Sequence, residues 1–159
     1  MYSRIRAKNG LWWLWISVLI LLIDRYSKIW AMTHLLILTP LSILPVLNLT
    51  LAHNTGAAFG FLHSFLGWQN IFLGTLACVI SIVIVINLAR LSIKSYWLNI
   101  ALCLILAGAI GNVWDRVLYG FVIDFISLHY HTWYFAIFNV ADSAITVGAI
   151  MLFWTWLRR

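Results

Sequence analysis

Four long apolar segments limit what this chain can fold into. They cover approximately residues 11–32, 68–88, 96–117 and 139–157. Each approaches the roughly 20 residues that a helix needs to cross the hydrocarbon core of a bilayer. The whole chain is 64% apolar and 9% charged, with a mean hydropathy of +1.00, whereas a soluble domain is roughly 45–50% apolar and 25% charged. We therefore predict an integral membrane protein, mainly α-helical, with four transmembrane helices in a single domain over residues 1–159.

The basic residues predict how the four helices are oriented in the membrane. Most of them flank the same side of a four-span chain: Arg4, Arg6, Lys8, Arg90, Lys94, Arg158 and Arg159. The two opposite segments, 33–67 and 118–138, contain neither Lys nor Arg. Because basic residues favour the cytoplasmic side of a membrane, both termini are expected there. The basic residues that set the topology account for the net charge of +6. The charge therefore does not indicate binding to nucleic acid, and we expect no nucleic-acid partner.

Charged residues within or beside the predicted spans are candidates for function, because a charge at membrane depth costs at least roughly 2.5–3.5 kcal/mol. Asp24 and Lys28 are four positions apart and share one helix face. Asp115 and Arg116 adjoin each other at the outer end of the third span. An ion pair that only fixes packing is the simpler interpretation of Asp24 and Lys28, since each has a partner at helical spacing.

Asp124 and Asp142 differ from the other acids, because neither has a basic residue within four positions. The β-branched and aromatic runs at 120–128 and 133–138 predict two strands joined by a hairpin in the HYHT segment. Such a hairpin returns the chain to Asp124 just before the fourth helix begins. Asn139 and Asp142 also have the spacing of a helix capping box, an alternative that does not exclude catalysis.

Two carboxyl groups brought together at a low-dielectric boundary do not both ionise easily. The pKa of one carboxyl rises and the pair shares a proton, so one site holds a general base and a general acid. Aspartic proteases use this arrangement to activate water for attack on a peptide carbonyl. We therefore predict that Asp124 and Asp142 meet and form such a pair.

The other outward segment also carries a strand signal. Apolar and polar residues alternate from Leu47 to Leu51, as in a strand at the membrane interface. The NTG stretch that follows contains Asn54 and Gly56, and glycine permits a turn or the close approach of a ligand. Taken alone, this stretch is equally typical of an ordinary loop.

Five short motifs, taken in order, make the chain resemble the lipoprotein signal peptidases, also called signal peptidase II, a family of bacterial membrane aspartic peptidases. The motifs are DRYSK at 24–28, NTGAAF at 54–59, GNVWDR at 111–116, VIDF at 122–125 and FNVADS at 138–143. Two positions depart from the family pattern: Arg25 stands where Gln is usual, and VIDF replaces VVDF. Neither departure touches a position that the family uses for catalysis.

The resemblance implies a fold and a set of site residues. The fold is four transmembrane helices with a small antiparallel β-cradle on the outer, periplasmic face. The catalytic dyad maps onto Asp124 and Asp142. The remaining matched positions line the substrate pocket or support the site: Asp24, Lys28, Asn54, Gly56, Asn112, Arg116 and Asn139.

The resemblance also implies a substrate and a location. The substrate is a prolipoprotein whose Cys carries a diacylglyceryl group, and the cut falls on the amino side of that Cys. No metal or cofactor is used. The enzyme is expected to be a monomer that spans the bacterial cytoplasmic (inner) membrane and contacts its lipids, with the active site near the periplasmic surface.

Other interpretations fit parts of the pattern. Intramembrane acids with basic partners also form proton relays in transporters, here through Asp24, Asp115 and Asp142, although four spans without an evident repeat argue against this. A structural membrane adaptor leaves Asp124 unexplained. Within the peptidase hypothesis, Asp115 is a rival for the role of Asp124, but its neighbour Arg116 favours a supporting role.

The predicted topology is testable with reporter fusions. A reporter placed after Arg159, or inserted between Arg90 and Lys94, should report the cytoplasm, and one near Ser64 should report the outer side, because the basic loops stay inside. An outer location for the 90–94 loop contradicts the four-span topology and, with it, the placement of the dyad.

Overall fold

The computed structural model of the protein describes residues 9–56 and 68–158. Its four long helices are α1 (Leu14–His34), α2 (Trp68–Arg90), α3 (Tyr96–Tyr119) and α4 (Val140–Leu157). A 3-10 turn at Gly10–Trp13 precedes α1. Each helix, α1 together with this turn, is long and apolar enough to cross a membrane. The predicted four-span, mainly helical architecture is confirmed, with helix ends within a few residues of the expected positions.

The helices expose large apolar side chains over much of their surface. On α2, Ile71 is 72% exposed and Ile82 60% exposed, while the buried residues of this helix are Ile84 and Leu88. A surface of this kind is stable where lipid tails replace water as the neighbour. The outward face of the bundle is therefore the face that meets lipid.

α3 is the central helix and packs against α1, α2 and α4. Glycines at the contact with α4 let the two backbones approach closely. A Cβ at Gly108 would collide with the carbonyl oxygen of Ala141, and one at Gly148 would lie 2.7 Å from that of Ala101. Small residues at such contacts are typical of packing between transmembrane helices. The glycines therefore hold the first turns of α4 against α3.

Four antiparallel strands form a small sheet next to the C-terminal end of α1. They are β1 (Leu41–Leu44), β2 (Leu47–Asn54), β3 (Val122–Tyr130) and β4 (Trp133–Tyr134), and they lie in the order β1-β2-β3-β4. The predicted antiparallel sheet is confirmed.

The predicted hairpin joins β3 to β4. Tyr130 pairs with Trp133, and His131 turns the chain with a φ of 52°. β4 ends at Tyr134, so the strand is shorter than the run 133–138 that the sequence suggested.

Beyond β4 the chain returns to the middle of β3 at Phe138. Its carbonyl oxygen accepts hydrogen bonds from the backbone N–H groups of Phe125 and Ile126, at 3.1 and 2.8 Å. This contact brings Asn139, the next residue, to the side of β3 that carries Asp124.

An apolar cluster fastens the sheet to the helices. Its buried members come from the end of α1 and from β2 and β3: Ala31, Leu35, Leu51, Ile123 and Phe125. Burial of these side chains fixes the position of β3 over the bundle, since apolar contacts of this kind tolerate little displacement.

Candidate active site

A buried cluster of two acids and two bases joins α1 to α3. Lys28 is 0% exposed, and its Nζ lies 2.8 Å from a carboxylate oxygen of Asp24 and 2.8 Å from one of Asp115. Nη1 of Arg25 lies 3.0 Å from the other carboxylate oxygen of Asp115. Such pairing is required because an isolated buried charge is strongly destabilising. The two negative and two positive charges balance.

Asp115 has partners that the sequence did not suggest. Its chain neighbour Arg116 donates to the carbonyl oxygen of Asn112, at 3.3 Å, whereas Asp115 pairs with the two basic residues of α1. Oδ2 of Asp115 also accepts from the backbone N–H of Ile123, at 3.3 Å. These partners occupy both carboxylate oxygens of Asp115, which favours the supporting role expected for it.

Asp24 attaches α4 to the same cluster. Its Oδ1 accepts from the backbone N–H of Ala141 at 2.8 Å, one of the N–H groups in the first turn of a helix that have no partner within that helix. Gly111 leaves room for this carboxylate, since a Cβ there would lie 2.8 Å from Oδ2 of Asp24. Gly111, the first residue of the GNVWDR motif, therefore has a packing role.

The carboxyl groups of Asp124 and Asp142 lie in a different environment, built from amides. Asp124 is buried on β3 and accepts from Nδ2 of Asn139 at 2.7 Å and from Nδ2 of Asn54 at 2.9 Å. Asp142 is half-buried and accepts from Nδ2 of Asn112 at 2.8 Å and from the backbone N–H of Asn139 at 3.2 Å. Within residues 9–56 and 68–158, no salt bridge reaches either group.

Asn139 connects the two carboxyl groups and also begins α4. Its side-chain oxygen accepts from the backbone N–H of Asp142 at 2.9 Å, and Asp142 accepts in return from the backbone N–H of Asn139. The predicted capping box is therefore confirmed. Because Nδ2 of the same side chain donates to Asp124, the helix cap also brings the two acids into one site.

Asn112 connects the charged cluster to the amide-bonded pair. Its Oδ1 accepts from Nζ of Lys28 at 3.4 Å and from Nδ2 of Asn139 at 3.3 Å. Because both donors bind the side-chain oxygen of Asn112, its amide nitrogen points the other way and donates to Asp142. The ammonium group of Lys28 therefore helps to orient a hydrogen bond that Asp142 receives.

The NTG stretch closes the site at the end of β2. Oδ1 of Asn54 accepts from the backbone N–H of Gly56 at 2.8 Å, and Gly56 has a φ of 85°, which glycine adopts without the strain that a side chain introduces. The remainder of NTGAAF, at 57–59, and most of the loop 53–67 lie outside the described residues.

The pKa of Asp124 differs from that of an ordinary carboxyl group. Burial raises this pKa from 3.8 to about 6, and the charge of Asp142 adds to the rise. The hydrogen bonds from Asn54 and Asn139 and the charge of Lys28 act in the opposite direction. A carboxyl group that titrates near pH 6 exchanges a proton close to neutrality, as a catalytic acid or base must.

Three partners in the site have no clear signature in the sequence. The hydroxyl of Tyr119 accepts from Arg25, whose Cζ lies 5.3 Å from the centre of the Tyr119 ring. The other two are the backbone N–H groups of Ala141 and Ile123. Backbone donors depend on chain position rather than on residue type, so the sequence does not mark them. For Tyr119, the only sequence indication of a role in the site is its position four residues after Asp115.

The sequence matches that of a known family over most of its length. The profile described as "Signal peptidase (SPase) II" matches residues 16–158. A lipoprotein signal peptidase of Pseudomonas syringae pv. tomato is 51% identical over 142 residues, 88% of this chain and 82% of the relative. Those of Coxiella burnetii (strain Dugway 5J108-111) and Yersinia enterocolitica are 46% and 43% identical, over 92% and 94% of this chain and 90% and 89% of the relatives.

Two solved structures share the fold. Both are described as a bacterial membrane enzyme structure obtained by the in meso method, one at 2.3 Å and one at 1.9 Å resolution. Each gives a TM-score of 0.79, at 32% and 33% identity respectively. The matches cover 92% of this chain and 87% of the first structure, and 91% and 92% for the second.

The buried cluster predicts a large stability effect for Lys28→Met. The substitution leaves two buried carboxylates without their shared cation, so the free energy of unfolding in detergent should fall by about 3–5 kcal/mol. Arg25→Gln is the control, because the Arg25 side chain is 27% exposed and more exposed ion pairs contribute about 1 kcal/mol or less. Equal losses in the two variants contradict the central role of Lys28.

Proposed function

The chain belongs to the signal peptidase II family and is a membrane-embedded peptidase of the lipoprotein signal peptidase type; from this premise we propose that it is an aspartic endopeptidase. Its substrate in this proposal is a prolipoprotein whose Cys already carries a diacylglyceryl group. The cut falls on the amino side of that Cys. Family membership favours this activity over the proton-relay transporter that the intramembrane acids alone suggested.

One observation carries the proposal: the four acids fall into two pairs with different neighbours. Asp24 and Asp115 are paired with the cations of the buried cluster. Among the residues that the structure describes, Asp124 and Asp142 receive only amide hydrogen bonds. Amides orient a carboxyl group without supplying the full charge that keeps it ionised, so the second pair is the one suited to moving protons.

We assign Asp142 as the general base and Asp124 as the general acid. Asp142 is half-buried, which lets water approach it, whereas Asp124 is buried and its raised pKa favours the protonated form. Asp142 takes a proton from water as the water oxygen bonds to the scissile carbonyl carbon. Asp124 gives its proton to the carbonyl oxygen, which becomes a hydroxyl group.

Breakdown of this tetrahedral intermediate uses the same groups in reverse. Asp142 gives its proton to the amide nitrogen, the C–N bond breaks, and the amine of the lipidated Cys leaves. A hydroxyl proton of the intermediate returns to Asp124 as the new carboxyl product forms. The dyad thus ends the cycle in its starting protonation state.

The neighbouring residues hold this geometry in our proposal. Asn139 and Asn112 fix the orientation of the two carboxyl groups. Asn54, Gly56 and Arg116 hold the peptide backbone of the substrate. No metal or cofactor takes part, and the enzyme works as a monomer.

The membrane surroundings of the site suit a lipid-anchored substrate. A groove of about 490 Å³ beside α4 is lined by Asp142 and by residues such as Thr146, Val147 and Phe138. A substrate held in the bilayer therefore has a route to Asp142 from the side. With the termini in the cytoplasm, as the basic residues suggest, the dyad lies near the outer surface of the inner membrane.

The dyad assignment predicts three distinct mutant behaviours. Asp124→Asn and Asp142→Asn should each lower turnover of a lipidated peptide to background, at least about a hundredfold, while the protein still accumulates and binds a substrate-like inhibitor. Asp115→Asn should lower protein level or inhibitor affinity together with activity, because it breaks the buried ion cluster. Expression, inhibitor binding and cleavage are measured for all three, with and without a strong chelator.

Two outcomes contradict the assignment. A well-folded, tightly binding but inactive Asp115→Asn, beside an active Asp124→Asn, moves the catalytic role to Asp115. Loss of wild-type activity on chelation, restored by added metal, indicates a metallopeptidase instead.

The raised pKa of Asp124 predicts the pH dependence of cleavage. The reaction needs protonated Asp124, so kcat/KM should be highest below about pH 6 and fall about tenfold per pH unit above it. Because the two carboxyl groups share one site, the apparent pKa that this limb reports belongs to the pair. Asn54→Leu removes a hydrogen bond that lowers the pKa of Asp124, so its alkaline limb should move to higher pH. A wild-type profile without an alkaline limb, or an unmoved limb in the variant, contradicts the role of Asp124.

A further inference from the structure

A pocket lies at the end of the bundle opposite Asp142, where α3 begins and α4 ends. Its volume is about 510 Å³, and its lining residues are Trp97 of α3 together with Trp154, Thr155 and Arg158 at the end of α4. α4 contains 18 residues, a length of about 27 Å at 1.5 Å per residue. Because Asp142 lies in the first turn of α4 and a hydrocarbon core is about 30 Å thick, the pocket lies at the headgroup level of the opposite leaflet.

Hydrogen bonds to one carbonyl oxygen hold two of the side chains that line the pocket. Nε1 of Trp97 donates to the carbonyl oxygen of Met151 at 3.2 Å, which ties the indole ring of α3 to α4. The hydroxyl of Thr155 donates to the same oxygen at 2.8 Å. Both donors are thus occupied within the bundle, and the guanidinium group of Arg158 is the charged donor on the pocket wall.

Arg158 is a cation that pairs with no carboxylate among the described residues. Its Cζ lies 4.8 Å from the centre of the Trp154 ring, a cation–π contact that holds the guanidinium group against the wall of the pocket. The three salt bridges within residues 9–56 and 68–158 belong instead to Arg25 and Lys28. Since an aromatic ring supplies no net negative charge, the guanidinium group remains able to bind an anion.

No acidic side chain neutralises the charge at this end of the bundle. The chain has four acidic residues, and all of them take part in the buried cluster or in the candidate active site: Asp24, Asp115, Asp124 and Asp142. Arg90 at the end of α2 and Lys94 before α3 add positive charge near Arg158. A positive field of this kind attracts anions to the surface of the membrane at this end.

We propose that the pocket formed by Trp97, Trp154, Thr155 and Arg158 binds one anionic phospholipid from the leaflet at this end of the bundle. The guanidinium group of Arg158 donates to the phosphate of the lipid. The two indole rings contact the glycerol unit and the first methylene groups of the acyl chains, at the depth where tryptophan is enriched in membrane proteins. The inference does not depend on the proposed function, because the pocket is a bilayer's thickness away from Asp142.

The shape of the pocket favours a lipid over a free phosphate ion. Sites that select a phosphate ion surround it with several converging donors, whereas this pocket offers one guanidinium group between two half-exposed rings. Trp97 is 53% exposed and Trp154 is 49% exposed. A lipid provides an anion for the guanidinium group and an apolar surface for the rings at the same time, and a phosphate ion provides only the anion.

Arg158→Gln tests the inference in the purified protein in detergent. Dioleoyl phosphatidylglycerol is titrated and its binding is followed by native mass spectrometry, with dioleoyl phosphatidylcholine as a zwitterionic lipid that has the same acyl chains. The wild-type protein should bind phosphatidylglycerol at least about fivefold more tightly, the factor that one basic residue contributes at an anionic surface. Arg158→Gln should lose most of this preference. Arg90→Gln should keep it, because Arg90 lies at the same end of the bundle but outside the pocket.

Four results overturn the inference. The first is equal binding of the two lipids by the wild-type protein. Equal losses in Arg158→Gln and Arg90→Gln indicate a diffuse positive field rather than this pocket. Displacement of phosphatidylglycerol by inorganic phosphate at the same concentration indicates a site for the ion alone. Displacement by a diacylglyceryl-modified peptide places the lipid in the proposed active site instead.

A pair of tryptophan variants tests whether the ring beside Arg158 belongs to the lipid site. Trp154→Leu keeps an apolar wall but removes the ring that holds the guanidinium group, so the affinity for phosphatidylglycerol should fall about two- to fivefold, as expected for an exposed cation–π contact. Trp156→Leu is the control, because Trp156 lies on the same helix and lines a different pocket. Thermal unfolding without added lipid checks that both variants are folded. Equal affinities in the two folded variants overturn the inference.

Discussion

The buried ammonium group of Lys28 is the contact on which the rest of the site depends. It pairs at 2.8 Å with Asp24 and with Asp115, and in a medium without water such pairs are far stronger than at a wet surface. Each carboxylate then holds a backbone N–H: Asp24 that of Ala141 on α4, and Asp115 that of Ile123 on β3. The two elements that carry Asp124 and Asp142 are therefore attached to α1 and α3 through one cation.

The site separates carboxyl groups that hold the structure from carboxyl groups proposed to do chemistry. The first kind is surrounded by cations and the second by amides, and Asn112 lies between them because it bonds to both Lys28 and Asp142. An amide fixes direction at little electrostatic cost, so the protonation state of Asp124 stays free to change. Asn139 has several roles here: its side chain caps α4 and donates to Asp124, and its backbone N–H donates to Asp142.

Local patterns in the sequence predicted the elements well, and the exceptions have physical reasons. The four spans follow from apolar length, and the hairpin and the capping box follow from residue type at short spacing. The partners of Asp115 were not predictable in this way. Arg25 is 90 residues away, and only packing of α1 against α3 brings it closer than the adjacent Arg116.

Apolar length, the placement of basic residues and the order of five motifs determined, without any structure, that this chain crosses the membrane four times and belongs among the lipoprotein signal peptidases. These properties depend on the local composition of the chain, which the sequence states directly. Tertiary structure decided which acids pair with cations and which accept hydrogen bonds from amides. Charge pairing depends on distances of about 3 Å between side chains, and those distances exist only after α1, α3, β3 and α4 have packed together.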